Sequence, residues 1–497
     1  MWTPKNIINC YIPKLIVGRC DSMESKIATG VDIRKVRGKA GRTELTNGLQ
    51  NGLSGKAMGN ANRSEKKHGK ILVESRELGR GRSPILPKAR GLGRGWNPIL
   101  AIAVLCLLVL GVFAVLTYQN QQKNTIATDA FSVEPVERSV QTAVMEIKGT
   151  AHNPIHINGN SGFTDENGVT GGSGTEGDPY IIENLNIDAN GGTYCIWIEN
   201  TDVWFVIRNC MVWNATDNST VPSGRGIYLN NVTHGTLENN NCTDNFGGIH
   251  LVSSSGNIIM NNDCSSNSDN GLYLSSSSNY NTVTNNSFTG NSNSGIFSFS
   301  SSNNLITCNN CSGNSAGILL ILSSNNAITG NNCSTNSYHG ICMGYFSKDN
   351  DITYNNCSGN SYCGLLMYNY TSDNIIAYNN FCCNTNYSIY ITSGSTGNII
   401  HHNNFWQNNG ATKGTTDGRS QAYDDVGSNT WYDNTAHEGN YWSNWDSSGA
   451  YPIDGGKTSD AYPLSMPVTP ELSPIAVIVV AIALLGIVAR RFSICRH

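Results

Sequence analysis

The sequence predicts an all-β fold, a parallel β-solenoid of about nine coils with a transmembrane helix on either side of it. Three observations predict this architecture: a repeat of about 23 residues, apolar residues that alternate with polar ones inside each repeat, and two long uncharged apolar runs. The repeat extends over residues 226–409, and its coils begin 22 to 24 residues apart. The coil starts are Gly226, Gly248, Gly271, Gly295, Gly317, Gly340, Gly364 and Ser388.

Alignment of the coils places apolar residues in columns, which predicts how the coils pack. The position one residue after each start is always Ile or Leu, as at Ile249, Leu272 and Ile296, which we expect in vertical register. One coil is too short to bury its own apolar face, but coils stacked about 4.8 Å apart form a continuous core. The Asn, Ser and Gly content and the alternation with period two exclude a helical solenoid. A β-propeller is also excluded, because each of its blades needs about 40 residues, more than this repeat contains.

Asparagine pairs and cysteines complete each coil. Asn-Asn pairs such as Asn309-Asn310 recur before one apolar column, and we expect them to form the tight turns, because Asn tolerates left-handed backbone, and to stack into amide ladders. The sixteen cysteines permit disulfides outside the cytoplasm. However, five of them share a column with phenylalanine, which favours buried free thiols. That column is Cys242, Cys264, Phe288, Cys311, Cys333, Cys357, Phe381 and Phe405.

The distribution of charge predicts the membrane topology. Residues 1–97 carry 20 Lys and Arg against 7 Asp and Glu, whereas residues 118–472 carry 9 against 29. Basic residues beside a span tend to stay in the cytoplasm, so both chain ends are expected there and the acidic middle outside. The predicted organisation is a basic, mostly disordered segment (1–97), a signal anchor (98–117), a linker (118–154), the β-helix domain (155–409), a closing segment (410–464), a stalk (465–472) and a second transmembrane helix or sorting signal (473–489).

Three stretches resemble a known family. Residues 155–208 resemble the opening segment of archaeal surface proteins of the NosD-like β-helix family, the unit GILLILSSNNAITGNNCSTN resembles its repeat, and Gly439–Leu464 resembles its closing segment. The resemblance implies a right-handed β-helix and carbohydrate binding, and the family name suggests periplasmic copper delivery. Residues 446–450 lack the alternating carboxylates of a calcium loop that family members often carry there. The tail from Pro470 resembles archaeosortase sorting signals, although an ordinary transmembrane helix explains it equally well.

The sequence offers little for catalysis or metal binding. Asn200-Thr201-Asp202 and Asp424-Asp425 resemble only parts of a polygalacturonase motif, and glycoside hydrolysis needs two carboxylates across one bond. A lyase would need an exposed Arg, and residues 226–409 contain none. His401-His402 is the only His pair, and adjacent strand residues face opposite sides. We therefore expect no catalytic residues, no metal and no cofactor, with a polysaccharide hydrolase or lyase as the alternative and copper delivery as a third possibility.

A column predicted to face outward is the best candidate for function. It lies two residues after each coil start, between inward columns, and is rich in aromatic residues. Such a column can stack on sugar rings, dock an envelope protein or lie under a covering loop. Replacement of Tyr273 and Phe297 together by Ser is expected to abolish binding and to leave the fold intact. The predicted ligand-binding residues are Trp197, Tyr228, His250, Tyr273, Phe297 and Tyr390.

These features predict a non-catalytic protein of the cell membrane whose β-helix faces the outside. The expected partners are an extracellular polysaccharide or an envelope or surface-layer protein, and membrane lipid around the spans. The basic N-terminal segment is explained by topogenic charge, so no nucleic acid is expected. The region expected outside the membrane contains ten Asn-X-Ser/Thr sequons, which fit an N-glycosylated surface protein, although an Asn- and Ser-rich repeat also generates them by chance. Three of them, Asn310, Asn332 and Asn356, adjoin the cysteine column and are expected to be inaccessible. The candidates for N-glycosylation are Asn214, Asn218, Asn231, Asn241, Asn285, Asn369 and Asn386.

Overall fold

A computed structural model describes residues 149–218, 221, 223–411 and 419–469. These residues form a parallel β-solenoid of about nine coils, which confirms the all-β prediction. The predicted segments 1–97, 98–117 and 473–489, and most of the linker, lie outside them. Within the described ranges, no helix has the length and apolar composition needed to cross a membrane. The only helices there are three 3-10 turns, at Asn160–Gly162, Asp165–Asn167 and Asn408–Gly410.

Sheet 1 contains one strand from each coil, and its strands are the longest. Its eleven strands, nine from the predicted coils and one more at each end of the stack, pair in parallel in sequence order. They are Ile155–Asn158, Tyr194–Thr201, Arg225–Val232, Gly247–Val252, Leu272–Ser275, Ser294–Phe299, Ala316–Ile321, His339–Gly344, Leu365–Met367, Ile389–Ile391 and Ala422–Asp424. Ile249 pairs with Leu272 and Leu272 with Ile296, so the predicted vertical register is confirmed.

Sheet 2 follows sheet 1 in each coil, across a bend that we call the first turn. Its eleven strands are parallel except for the first pair. They are Val169–Gly171, Tyr180–Glu183, Phe205–Arg208, Gly235–Glu238, Ile258–Met260, Thr282–Thr284, Leu305–Thr307, Ala327–Thr329, Asp351–Thr353, Ile375–Ala377 and Ile399–His401.

Sheet 3 has the shortest strands, and in the middle of the solenoid it consists of single-residue bridges. Residues 241, 263, 287, 310, 332 and 356 form these bridges. Its strands at the two ends are Thr150–His152, Leu185–Asp188, Met211–Trp213, Asn380–Cys382, Asn404–Trp406 and Tyr441–Trp442. The closing segment therefore continues the stack, with Ala422–Asp424 on sheet 1 and Tyr441–Trp442 on sheet 3, and then adds a hairpin of Tyr451–Pro452 and Ser459–Asp460.

Buried asparagines stack into a ladder at each of the three turns, as the Asn-rich sequence predicts. The side-chain oxygen of each Asn accepts the backbone N–H of the equivalent Asn one coil earlier; Asn309 N and Asn331 Oδ1 are 2.9 Å apart. Such bonds satisfy buried polar groups that the turns would otherwise leave without partners. The ladders include Asn281–Asn304–Asn326 at the first turn, Asn309–Asn331–Asn355 at the second and Asn314–Asn336–Asn360 at the third.

The prediction that the Asn-Asn pairs supply the left-handed residue of the second turn is wrong. The residue before each pair has the positive φ instead, as at Cys308 (56°), Tyr354 (57°) and Tyr378 (60°). The first Asn of the pair points inward into the ladder, and the second bridges to the next coil in sheet 3. What the second turns share is therefore the buried Asn side chain of the ladder, whereas the type of the residue with positive φ differs from coil to coil.

The cysteine column lies in the core, and its thiols are free. Cys242, Cys264, Cys311, Cys333 and Cys357 are fully buried beside the isoleucine columns. Burial raises the pKa of Cys311 and Cys357 well above that of an ordinary thiol, so both are neutral. This agrees with the prediction that the column selects an apolar filler.

Candidate functional site

The outer column lies on the face of sheet 1 that points away from the core. Each member pairs in register with its equivalent in the next coil, and the column lies outside the hydrophobic core cluster. The column runs His156, Trp197, Tyr228, His250, Tyr273, Phe297, Leu319, Cys342, Leu366, Tyr390 and Tyr423. All six predicted ligand-binding residues are in it. His156 and Tyr423 extend it by one ring at each end.

The first six members form a continuous pile of rings. His156 stacks on Trp197 with ring centroids 4.0 Å apart, and His250 stacks on Tyr273 at 4.4 Å. Trp197, Tyr228 and His250 meet edge to face, at 6.0 and 5.3 Å. Tyr273 and Phe297 are parallel, 4.8 Å apart. The solenoid thus converts one residue per coil into an aromatic stripe along its axis, because parallel pairing sets the ring spacing near the coil spacing.

The expectation that the whole column faces solvent is wrong at five positions. Tyr228 is 4% exposed and Phe297 is 1% exposed. Stacking accounts for part of this, because Tyr273 covers one face of Phe297 and the Phe299 ring lies 6.2 Å away. The aliphatic centre of the column, Leu319, Cys342 and Leu366, is also buried. His156 is exposed, while Trp197, His250, Tyr273, Tyr390 and Tyr423 are half-buried and form the accessible part.

A buried ion pair flanks the aromatic stripe, and sequence reasoning missed it. Arg225 Nη1 lies 3.0 Å from Asp269 Oδ2, and the guanidinium sits 5.2 Å from the centre of the Phe246 ring. Gly247 makes room for it, because a Cβ there would lie 1.9 Å from Arg225 Nη1. Burial, and secondly the charge of Arg225, lower the pKa of His250 well below its usual value, so this imidazole is neutral.

The stripe also contains polar atoms without partners. Among the residues that the structure describes, Trp197 Nε1, Arg225 Nε and His250 Nδ1 are buried with no hydrogen-bond partner. His250 Nε2 does have one, Ser275 Oγ at 2.9 Å. Leaving a buried donor or acceptor without a partner costs about 1–3 kcal/mol.

A row of polar side chains runs beside the first rings on the same strands. Glu199 Oε1 lies 3.0 Å from both His156 Nε2 and Asn158 Nδ2, and Asn230 Nδ2 donates to Glu199 Oε2 at 3.4 Å. The row leads to an open cavity of about 650 Å³ at the first turn. Its lining is Asn160, Ser161, Asn200, Thr201, Asp202, Asn231 and Thr233. The motif-like Asn200-Thr201-Asp202 therefore lines a cavity, where Asn160 Nδ2 donates to Asp202 Oδ1 at 2.9 Å.

The far end of the column is a cluster of three tyrosines and two aspartates. Tyr390 and Tyr423 stack 4.5 Å apart, and Tyr387 lies within 6 Å of both. The Tyr387 hydroxyl donates to Asp454 Oδ2 at 2.9 Å, and Thr392 Oγ1 donates to Asp425 Oδ2 at 3.0 Å. Burial and the neighbouring Asp454 raise the pKa of Tyr387. Only Tyr390 was predicted, because Tyr423 and Asp454 come from the non-repeating closing segment.

The histidine pair has a geometry that strand alternation did not predict. His402 has a φ of +55°, which ends the alternation and brings both imidazoles to the same side. His401 Nδ1 and His402 Nδ1 are 2.7 Å apart, and His402 Nε2 lies 2.7 Å from Glu438 Oε2. Even so, in the described part of the chain no three His, Cys, Asp or Glu side chains group in a way that could hold a metal ion.

The sequons differ in accessibility, and their occupancy stays a prediction. Asn214, Asn218, Asn231, Asn285 and Asn310 are exposed. The half-buried ones are Asn241, Asn332, Asn356, Asn369 and Asn386. At Asn369 and Asn386 the hydroxyl residue of the sequon is buried and donates to the chain's own carbonyls, so these two sites are less suited to modification.

Two family models match parts of the chain. One, described as periplasmic copper-binding protein (NosD), matches residues 293–447, and the other, described as right handed beta helix region, matches residues 153–326. Both matches support a NosD-like right-handed β-helix family. Together they cover residues 153–447, which include the opening stretch and the repeat unit noted from the sequence but only the first nine residues of Gly439–Leu464. No curated protein matches.

Several solved structures resemble the solenoid at low identity. A mutant of the periplasmic alginate epimerase AlgG is 15% identical, covers 44% of this chain and 68% of its own, and has a TM-score of 0.34. The A-module of the Azotobacter vinelandii mannuronan C-5 epimerase AlgE6 is 15% identical, with coverages of 52% and 84% and a TM-score of 0.34. The Dettilon tailspike protein gp208 is 14% identical, with coverages of 52% and 58% and a TM-score of 0.40. At these scores the likenesses carry no argument about activity or ligand.

Proposed function

We propose that the outer face of sheet 1 binds carbohydrate and that the protein is a non-catalytic, membrane-anchored protein of the cell surface. The observation that carries the proposal is the pile of rings from His156 to Tyr273, aligned along the solenoid axis. A pyranose presents apolar C–H faces that pack on aromatic rings, and rigid rings lose little entropy on contact. An elongated stripe suits an elongated ligand, so the ligand class is a polysaccharide chain.

The polar groups beside the rings support the same proposal. Glu199, Asn158 and Asn230 place carboxylate and amide groups next to Trp197, where sugar hydroxyls would bond them. A few convergent polar groups on an apolar platform are the usual composition of a small-molecule site.

The experiment is a glycan array with the full-length chain, followed by affinity measurements on its strongest ligand. The replacement of both Trp197 and Tyr273 by Ser should weaken binding at least about tenfold, because two ring–sugar contacts are lost. Tyr280→Ser is the matched control, since Tyr280 is 68% exposed on a first turn and outside the column. Unchanged affinity in the folded double variant would refute the proposed face.

A second candidate is hydrolysis of a polysaccharide at the cavity beside the stripe. It is favoured by one observation, that Asp202 lines the cavity while Glu199 lies three residues earlier on the adjoining strand. Glycoside hydrolysis uses two carboxyl groups on either side of the scissile bond. New reducing ends released from the array's ligand by the unmodified chain, and not by Asp202→Asn, would establish this activity. Their absence would leave binding alone.

Membrane anchoring is a separate part of the proposal. It is supported by the uncharged runs at 98–117 and 473–489 and by the basic residues that flank them. Fractionation of cells that express the full chain should place it in the membrane fraction, resistant to washing with high salt or carbonate. Recovery in the soluble fraction would contradict anchoring without affecting the binding face.

A further inference from the structure

A pair of exposed rings stands apart from the outer column, at the first turn. Phe346 and Tyr370 are 44% and 58% exposed, among the largest values for apolar side chains in the described residues. Their rings are nearly parallel, 9° apart in plane, with centroids separated by 5.2 Å. Neither residue belongs to the face assigned to carbohydrate above, because both follow the strands of sheet 1 and precede those of sheet 2.

The solenoid does not need these two residues. In the coil before Phe346, one left-handed residue, Leu322, joins sheet 1 to the buried Ser323. In the next two coils the equivalent join contains two left-handed residues, Tyr345-Phe346 and then Asn369-Tyr370. Each coil therefore carries one inserted residue, and in both coils the insertion is aromatic. Because the two exposed rings stack on each other, they form a small apolar patch, and such a patch is a candidate for contact with a ligand.

The turn holds both rings in place. The buried hydroxyl that follows each ring donates to a carbonyl at 2.8 Å, from Ser347 to Gly344 O and from Thr371 to Tyr368 O. Gly394 occupies the inserted position of the following coil, and a Cβ there would lie 2.9 Å from Tyr370 Cε1. Glycine therefore leaves room for the Tyr370 ring, and the pair forms a preorganised platform that loses little entropy on binding.

Polar and charged groups border the platform. Lys348 Nζ lies 3.5 Å from Asp349 Oδ2, and Ser372 Oγ donates to Asp373 Oδ2 at 2.9 Å. Lys348 and Ser372 pair across the two coils. These residues follow Phe346 or Tyr370 by two or three positions, so their hydroxyl, carboxylate and ammonium groups are available near a ligand that covers the rings.

The size of the platform determines what it fits. A stable protein interface buries about 800 Å² on each partner, whereas two partly exposed rings offer only a fraction of that. A sugar ring matches the area, its C–H face suits the rings, and its hydroxyls suit the polar border. We propose that Phe346 and Tyr370 form a second carbohydrate contact, on the first turn, for a pyranose unit of the polysaccharide held by the outer column; this inference rests on the proposed function.

The test uses the full-length chain and the polysaccharide that contains the strongest ligand of the glycan array. The replacement of Phe346 and Tyr370 by Ser should weaken binding about tenfold and leave the unfolding midpoint unchanged, because both rings are exposed. Tyr370→Trp should bind at least as well as the unmodified chain, since a ring is retained. Tyr280→Ser, also exposed on a first turn, should bind normally.

The possible failures are distinguishable. If the unmodified chain binds no glycan, the proposed function and this inference both fall. If it binds, and the Trp197 and Tyr273 variant loses binding while the Phe346 and Tyr370 variant stays within twofold of the unmodified chain, only the inference is overturned. If light scattering finds a dimer that the Phe346 and Tyr370 variant abolishes without loss of glycan binding, the platform is a contact between copies and the inference is likewise overturned.

Discussion

The inner and outer columns of sheet 1 contain residues one position apart on the same strands, yet they follow different rules. Ile249, Leu272 and Ile296 face the core and vary only between two aliphatic residues. Their neighbours His250, Tyr273 and Phe297 keep the same register but differ in chemistry, and the column changes from rings to aliphatic side chains and back to rings. The interior must fill a constant cross-section. The exterior has no such constraint, so its composition carries the information about function.

The largest difference in stability between replacing an inward residue and replacing an outward one is expected at the pair Asn355-Asn356. Asn355 is buried and accepts from the backbone N–H and the side chain of Asn331, at 2.9 and 3.0 Å. Asn355→Ala should cost about 4 kcal/mol, because it leaves buried donors without acceptors. Its half-buried neighbour Asn356, replaced by Ala, should cost less than about 1 kcal/mol. Urea unfolding of both variants measures this, and equal costs would show that the ladder is not the main stabilising feature.

The second difference lies within the outer column itself. Phe297→Ser should cost about 3 kcal/mol, because its ring is 1% exposed. Tyr273→Ser should cost about 1 kcal/mol, because that ring is half-buried. The structure thus changes the prediction that replacing both rings leaves the fold intact. If Phe297→Ser unfolds at the same urea concentration as the unmodified chain, the burial of this ring does not contribute to stability.

A third test concerns the neutral imidazole in the outer column. The pKa of His250 is lowered by burial and by Arg225, so below about pH 6.5 the unfolded chain takes up a proton before the folded chain does. Its contribution to stability is complete above that pH and is lost as the pH falls toward the folded pKa. The slope is at most about 1.4 kcal/mol per pH unit. His250→Gln should reduce the slope of the unfolding free energy against pH by the uptake of up to one proton. An unchanged slope would contradict the lowered pKa of His250.

The smallest effect is expected in the cysteine column. Cys333→Ala should cost about 1 kcal/mol, because it removes one buried sulfur from a position that elsewhere accepts Phe. In the folded chain Cys333 should resist a thiol reagent, whereas Cys383, which is exposed, should react. After denaturation without reductant both should be labelled. Mass spectrometry that finds Cys333 in a disulfide would contradict this.

Local repetition determined most of the fold from sequence. Ile249, Leu272 and Ile296 repeat at a nearly constant spacing, and a repeat that stacks on itself has only one way to align its apolar columns. The part of the candidate site that follows the repeat was therefore predictable. Six of its residues share one column: Trp197, Tyr228, His250, Tyr273, Phe297 and Tyr390. The inward Asn ladder and the buried thiols followed for the same reason.

Only the tertiary structure decided what depends on partners outside the repeat. The Arg225–Asp269 pair joins residues 44 positions apart, and Tyr423 and Asp454 come from the closing segment. The burial of Phe297 and the turn of His402 depend on neighbouring side chains and on single backbone angles. Periodicity specifies which residues share a column. How exposed a side chain is, and which groups from distant coils meet it, depends on all the atoms around it, and these are brought together only by the folded chain.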